Sequence, residues 1–299
     1  MSIISRRDAG KLIVTAGAGL MLVRGRLLGA AKIDSVVKGV QIGAQSYSFR
    51  DRPLDAAIEG YRTVGLGECE LFAGHVEPSE ERTNREALRQ WRLTTPLSQF
   101  HAVREKFDNA GILLYAYNYS FRKDFTDAEI ERGFQMAQAM GLTHITASAN
   151  VSVAPRVDQY AEKYKIMVGF HGHDQTSDRD EFSTPETFAR AMHGTSEYIG
   201  VNLDIGHFTA AGYDPVDYLR AHHDRIVTLH IKDRKRNHGP NEPFGQGDTN
   251  ITGVLRLLRD QHWAIPANIE YEYNEEIKGL DTIAEMKKCY AYCKQALET

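Results

Sequence analysis

The chain has 299 residues, 42% hydrophobic and 25% charged, with 25 Gly, 9 Pro and 3 Cys, which excludes a collagen, a disordered chain and a disulfide scaffold. Lys plus Arg number 36 against 40 Asp plus Glu, a formal charge of -4 that lacks the basic footprint of a nucleic-acid binder. Length alone allows two domains of about 150 residues or one α/β barrel of about 250.

The first 31 residues read as an address. Arg6-Arg7 precedes an uncharged run, Leu12 to Val23, too short to span a bilayer as a mature helix, and Gly29-Ala30-Ala31 offers the small residues that a signal peptidase reads. This start resembles a twin-arginine (Tat) signal, with Ala9 where a bulky apolar residue is more usual. Arg24 and Arg26, after the apolar run, suit a Tat substrate better than a Sec one. The resemblance implies export through the Tat machinery to the periplasm or beyond, with no stable membrane association after cleavage. An uncleaved anchor is the alternative. Removing residues 1–31 takes away five basic groups and one acid, so the mature chain, 32–299, carries a net charge of -8.

The mature chain alternates short apolar or β-branched runs with amphipathic stretches. Candidate strands are Val40–Ser46, Glu68–Phe72, Ile112–Tyr119, His144–Ser148, Ile166–Phe170, Ile199–Asp204, Ile226–Ile231 and Ala267–Tyr271. Helix starts are signalled by Thr126 before Asp127 and Glu129, and by Ser183-Thr184 before Pro185-Glu186; the last helix spans roughly Leu280–Leu297. Cys289 and Cys293 share one face of that helix at a spacing unsuited to a disulfide, so packing is their expected role. Eight alternations in one chain of this length predict a (β/α)8 TIM barrel. A doubly wound open sheet is the rival, and no G-x-G-x-x-G follows the first strand.

In such barrels function collects where the strands end. The fifth candidate strand runs into Phe170-His171-Gly172-His173-Asp174, the sixth ends Asp204-Ile205-Gly206-His207, the seventh gives His230-Ile231-Lys232-Asp233 and the eighth gives Ile269-Glu270-Tyr271-Glu272. Each residue taken singly has an ordinary alternative as a packed side chain or a helix cap. Four successive strands delivering imidazoles and carboxylates point instead to a divalent-ion site, Mn²⁺ first, with Zn²⁺, Co²⁺ or Fe²⁺ as alternatives.

The D-x-G-H run at Asp204–His207, the H-x-K-D run at His230–Asp233 and the I-E-Y-E run at Ile269–Glu272 resemble the sugar phosphate isomerase/epimerase family. These are xylose isomerase-like TIM barrels related to endonuclease IV. Gly65–Phe72 and Phe244-Gly245-Gln246-Gly247-Asp248 support the likeness, which covers nearly all of the mature chain. The family's metal positions carry over to His171, Asp204, His230 and Glu270. Many sugar epimerases of this group place a Glu where this chain has His171, and there it shares proton exchange with the eighth-strand Glu. A metal-bound imidazole has donated its lone pair and is a poor base, so the two-carboxylate shuttle is incomplete here.

The resemblance implies proton abstraction next to the carbonyl of a free sugar or keto-sugar through an enediolate, giving isomerisation or epimerisation. Elimination from a 3-keto-glycoside and a non-catalytic sugar-binding barrel are the alternatives. Glu270 or Glu272 is the expected base, Lys232 the donor to the enediolate oxygen, and His207 a partner of a substrate hydroxyl or of Asp204. Lys232 and Asp233 have a rim ion pair as their alternative. Glu70, Tyr117, His173, Asp233 and Arg236 are candidate substrate contacts, the last in a basic run, Arg234–Arg236, that is otherwise solvated surface. The expected partner is a small-molecule carbohydrate, not a nucleic acid.

Overall fold

The computed structural model describes residues 31–299 apart from 81 and 83; the leader expected over 1–31 lies, but for Ala31, outside the described residues. Eight parallel strands close on themselves: β2 (Val40–Gln45), β3 (Glu68–Phe72), β4 (Leu113–Asn118), β5 (His144–Ala147), β6 (Met167–His171), β7 (Ile199–Asp204), β8 (Ile226–Ile231) and β9 (Ala267–Ile269). Closure is the β2–β9 pairing, Ile42 with Ala267 and Ala44 with Ile269. A short arm, β1 (Val36–Val37), pairs antiparallel with the start of β2 through a turn at Lys38-Gly39. This is the (β/α)8 barrel that the alternation predicts. Each candidate strand is found within one or two residues of its expected bounds.

Between the strands lie α1 (Leu54–Val64), α2 (Arg85–Thr94), α3 (Ser98–Ala110), α4 (Asp127–Ala139), α5 (Ala154–Tyr164), α6 (Pro185–Met192), α7 (Ile205–Ala210), α8 (Pro215–His222), α9 (Ile251–Gln261) and α10 (Thr282–Glu298). The start signals work as read. Thr126 caps α4 in a reciprocal capping box with Glu129, and Thr184 caps α6 with Pro185 in the first turn. Cys69, Cys289 and Cys293 are buried and unpaired, so they pack. No helix among the described residues is long and apolar enough to cross a membrane.

The apolar core lies between the barrel and its helices, where Phe100, Phe134, Phe170 and Phe188 are buried. The inside of the barrel is unusually polar. Strand residues alternate between the two faces, so Glu68 and Glu70 on β3 point to one side while Cys69 and Leu71 point to the other. Thr146, Asn202, Thr228, His230 and Asn268 are buried with the two glutamates. Their contacts link them across the barrel: Glu70 accepts from Gln45, at 2.7 Å, and from Thr146, at 2.6 Å, and Asn268 donates to Thr228 at 3.0 Å.

Neither carboxyl oxygen of Glu68 has a hydrogen-bond partner. Burial first, and then the charge of Glu70, hold this carboxyl well above its ordinary 4.5. The unfolded chain therefore releases this proton above about pH 4.5 while the native chain keeps it, so Glu68 lowers stability progressively as pH rises, by up to about 1.4 kcal/mol per unit. Glu68→Gln is expected to remove that contribution. Urea denaturation between pH 5 and 8 should show the variant gaining on the wild type with pH; a constant difference would refute a neutral Glu68.

Candidate metal centre

Four buried side chains, each from the C-terminal end of a different strand, converge at the mouth of the barrel. His171 is the last residue of β6, Asp204 the last of β7, His230 lies in β8, and Glu270 directly follows β9. One donor atom from each lies within 4.8 Å of the others. The Glu270 amide still donates to the Ile231 carbonyl, at 3.0 Å, which holds it in register beyond the strand. Glu270 Oε2 is the common point, 3.2 Å from His230 Nδ1, 3.8 Å from His171 Nε2 and 2.8 Å from Lys232 Nζ.

Asp204 caps a helix with one oxygen and turns the other to the cluster. Its Oδ1 accepts the His207 amide at 2.7 Å and caps α7, while Oδ2 faces Lys232 at 3.1 Å and His171 at 3.4 Å. His230 is fixed from behind, its Nε2 lying 3.0 Å from Glu70 Oε2, which leaves Nδ1 for the shared centre. Lys232, two residues beyond His230 on the same face, meets Asp204, Glu270 and Glu272, the last at 2.5 Å. The D-x-G-H run has its reason here. A Cβ on Gly206 would come within 3.0 Å of the Lys232 side chain, so glycine leaves the passage for the lysine stem.

Charge explains the ionisation of this cluster. Burial works against the Lys232 ammonium, but Asp204, Glu270 and Glu272 outweigh it and hold its pKa well above the ordinary value. Burial likewise works against the Glu270 carboxylate, and His230 and Lys232 reverse it, holding Glu270 well below. His207 differs: burial, reinforced by the Lys232 charge, pushes it down to about 4, so its ring is neutral near pH 7. Arg234 and Asp174 flank its Nδ1, at 2.6 and 3.5 Å.

The donor set fits a divalent ion. Both ring nitrogens of His171 and Oδ2 of Asp204 are buried without a hydrogen-bond partner, in a position where two imidazoles and two carboxylates meet. Above the cluster opens a cavity of about 510 Å³, lined by His171, His173, His207, His230, Lys232, Glu270 and Glu272, and on its other side by Gln45, Tyr47, Phe72, Asn118, Ser120, Arg122 and Ser148.

Several expected substrate contacts are placed elsewhere. Tyr117 is fully buried and packs between Phe100 and Tyr119, because the period of two turns it toward the helices and gives its neighbour Asn118 to the cavity. Asp233 is buried and turned away from Lys232. Its carboxylate accepts the amides of Gly245 (2.7 Å), Gly247 (3.0 Å) and Thr249 (3.2 Å), so it holds the loop after β8, and the alternative, a rim pair with Lys232, does not form either. Arg236 is exposed and is not part of the cavity lining. Glu70 lies beneath the cavity and meets it through its partners Gln45, Asn118 and His230. His173 lines the cavity as expected, its Nδ1 2.8 Å from Glu181 Oε1. Sequence reasoning missed Glu181, Ser120 and Arg122, which sit in loops without periodicity, and Arg234, which belongs to a run read as solvated but is itself buried.

Fold and site together define a (β/α)8 barrel with a buried His/Asp/His/Glu cluster at its mouth that could hold a metal ion. Residues 102–291 match the xylose isomerase-like TIM barrel family, and the chain belongs to it. An inosose dehydratase from Lactiplantibacillus plantarum is 34% identical over 80 residues, 26% of this chain and 25% of that protein, so the chain spans about a quarter of the curated relative it matches. Among solved structures, the IOLI protein with a binding zinc atom superposes with a TM-score of 0.65 at 15% identity, covering 87% of this chain and 98% of that one. A sugar phosphate isomerase/epimerase from Parabacteroides distasonis ATCC 8503 gives 0.60 at 17%, covering 88% and 96%. At these identities the two structures share the fold alone.

Metal titration of the chelator-treated chain is expected to show one divalent ion per chain, lost in Asp204→Ala. Glu70→Ala should keep the stoichiometry and weaken affinity about 10–100-fold, because it removes the carboxylate behind His230 and leaves Asn202 alone at its rear nitrogen. Unchanged affinity in both variants, measured by calorimetry, would remove this cluster as the metal site.

Proposed function

We propose that this protein is a divalent-metal-dependent isomerase or epimerase of a free sugar or keto-sugar, working by removal of the proton next to the carbonyl. The observation that carries the reading is a carboxylate outside the four-residue cluster but beside it: Glu272 lines the cavity with its Oε2 2.5 Å from Lys232 Nζ. An ion held by His171, Asp204, His230 and Glu270, Mn²⁺ being the first expectation, would supply Lewis-acid polarisation of the sugar carbonyl and a neighbouring hydroxyl. Glu272 takes the α-proton. The buried Lys232 ammonium, already charged, donates a hydrogen bond to the oxygen on which negative charge grows. His207, neutral, binds a sugar hydroxyl through its ring, and Gln45 and Asn118 offer amides to others.

A second reading rests on the partial match to an inosose dehydratase, a name that denotes loss of water. The same abstraction by Glu272 followed by departure of a β-substituent gives elimination. His173, its ring oriented by Glu181, is placed on the cavity wall to protonate the leaving oxygen. The two readings share the first step and part at the second.

Incubation of the metal-loaded chain in D₂O with a panel of aldoses, ketoses and 3-keto-glycosides separates them. Isomerisation puts solvent deuterium into recovered sugar, whereas elimination releases a free aglycone or water and an unsaturated product. Glu272→Gln should lower the rate about 10²–10⁴-fold. Neither deuterium nor elimination product across the panel would leave a sugar-binding barrel. We further propose that residues 1–31 are a twin-arginine leader, supported by Arg6-Arg7 and the short apolar run. Replacing both arginines with lysine should retain the precursor in the cytoplasm, which cell fractionation reads directly; unaltered export would refute it.

A further inference from the structure

A second cavity, of about 380 Å³, adjoins the first and shares Phe72, Asn118, Ser120 and Arg122 with it. It lies over the loops that follow β3 and β4, and its remaining wall includes Arg82, Arg85, Arg92 and Glu77. Four guanidinium groups thus face one carboxylate, in a chain whose net charge is negative.

The pairings show which of these charges are committed. Arg92 is held by Glu77, at 2.7 Å, and lies over the rings of Tyr119 and Phe125. Arg85 pairs with Asp124. Neither Arg82 nor Arg122 pairs with a carboxylate among the described residues, and Arg122, exposed, lines both cavities. The Arg82 guanidinium lies close over Gly74, where a Cβ would fall 2.5 Å from its Nη1, so the absent side chain makes its seat. Two arginines of this wall are thus committed to carboxylates; of the two uncommitted ones, Arg122 stands where the two cavities meet and Arg82 lines the second cavity only. Guanidinium pairs of this kind recognise planar or tetrahedral oxyanions by forked hydrogen bonds.

We infer that the substrate carries an oxyanion, a carboxylate, phosphate or sulfate, remote from its reacting carbon, and that Arg122 and Arg82 bind it in this second cavity. The inference rests on the sugar reading above and amends its substrate from a free sugar to an anionic sugar derivative: the carbonyl end faces Lys232 and Glu272, and the anionic end passes Asn118 and Ser120 to the arginines. Neutral sugars then occupy only the first cavity.

The test is calorimetric titration of the full chain, with and without chelator, with glucose, glucuronate, glucose 6-phosphate and glucose 6-sulfate. At least one anionic sugar is expected to bind about ten-fold more tightly than glucose, the gain from one charge-assisted hydrogen bond, and to lose that margin as NaCl is raised. Which anion gains most distinguishes carboxylate from phosphate and sulfate. Arg122→Ala and the Arg82→Ala/Arg122→Ala pair should bring the anionic sugar down to the affinity of glucose, while metal stoichiometry stays at the wild-type value. Equal affinities for charged and neutral sugars, no binding of any of them, or an anionic preference that survives the double substitution would overturn the inference. A chain that prefers the anion yet takes up no metal and exchanges no proton refutes the isomerase reading and leaves the anion site standing.

Discussion

Buried negative charge at the mouth of the barrel is the constraint on which the rest depends. Asp204, Glu270 and Glu272 converge on a single ammonium, that of Lys232, while Glu70 stands behind His230, and Glu70, Asp204 and Glu270 are almost wholly removed from water. Carboxylates cannot be buried at such density without positive charge to hold them ionised. The protein meets part of the demand with Lys232 and part with imidazoles: Glu270 and Glu70 overcome the effect of burial on His230 and raise its pKa well above the ordinary value. Two imidazoles asked to supply charge beside two carboxylates form the arrangement that a divalent cation satisfies more fully.

That demand accounts for the polar inner face of the barrel. In a barrel filled by branched apolar side chains, His230 would have no acceptor behind it. Here Glu70 stands behind it, and Gln45, Thr146 and Asn118 in turn hold Glu70, at 2.7, 2.6 and 3.4 Å. Each layer orients the one above, so precision at the mouth is built from the middle of the strands upward. Asp233 performs the corresponding service for the rim by gathering three amides of the loop after β8.

This division explains what could be read from sequence. The eight strands and the four convergent donors were legible because apolar runs end at the barrel mouth and the residue type at each end is visible without knowing the register. Errors began where parity decides. Tyr117 and Asn118 are adjacent and equally plausible as sugar contacts, and only the register of β4 against β3, Tyr117 beside Leu71 and Asn118 beside Phe72, assigns one to the core and the other to the cavity. Asp233 follows Lys232 in the chain and turns the opposite way for the same reason. Arg82, Arg122 and Glu181 lie on loops, where neither periodicity nor spacing announces a role. Their meaning appears only once β3, β4 and β6 have placed those loops beside one another.

On the reading proposed above, His171 is the position that most alters the chemistry. With an imidazole there in place of a carboxylate, a proton shuttle between two metal-side glutamates is not available, because a nitrogen that binds metal has no lone pair left for a proton. What the cavity offers instead is asymmetric. Glu272, beside Lys232, stands just past β9; His173, beside Glu181, stands just past β6, three strands round the barrel. One is a carboxylate beside an ammonium, the other an imidazole beside a carboxylate. A site with unlike groups on its two walls favours reactions whose two proton transfers differ in kind, isomerisation or elimination, over a symmetrical inversion at one carbon. On that reading the second proton carrier is His173, two residues beyond His171 and outside the four-residue cluster.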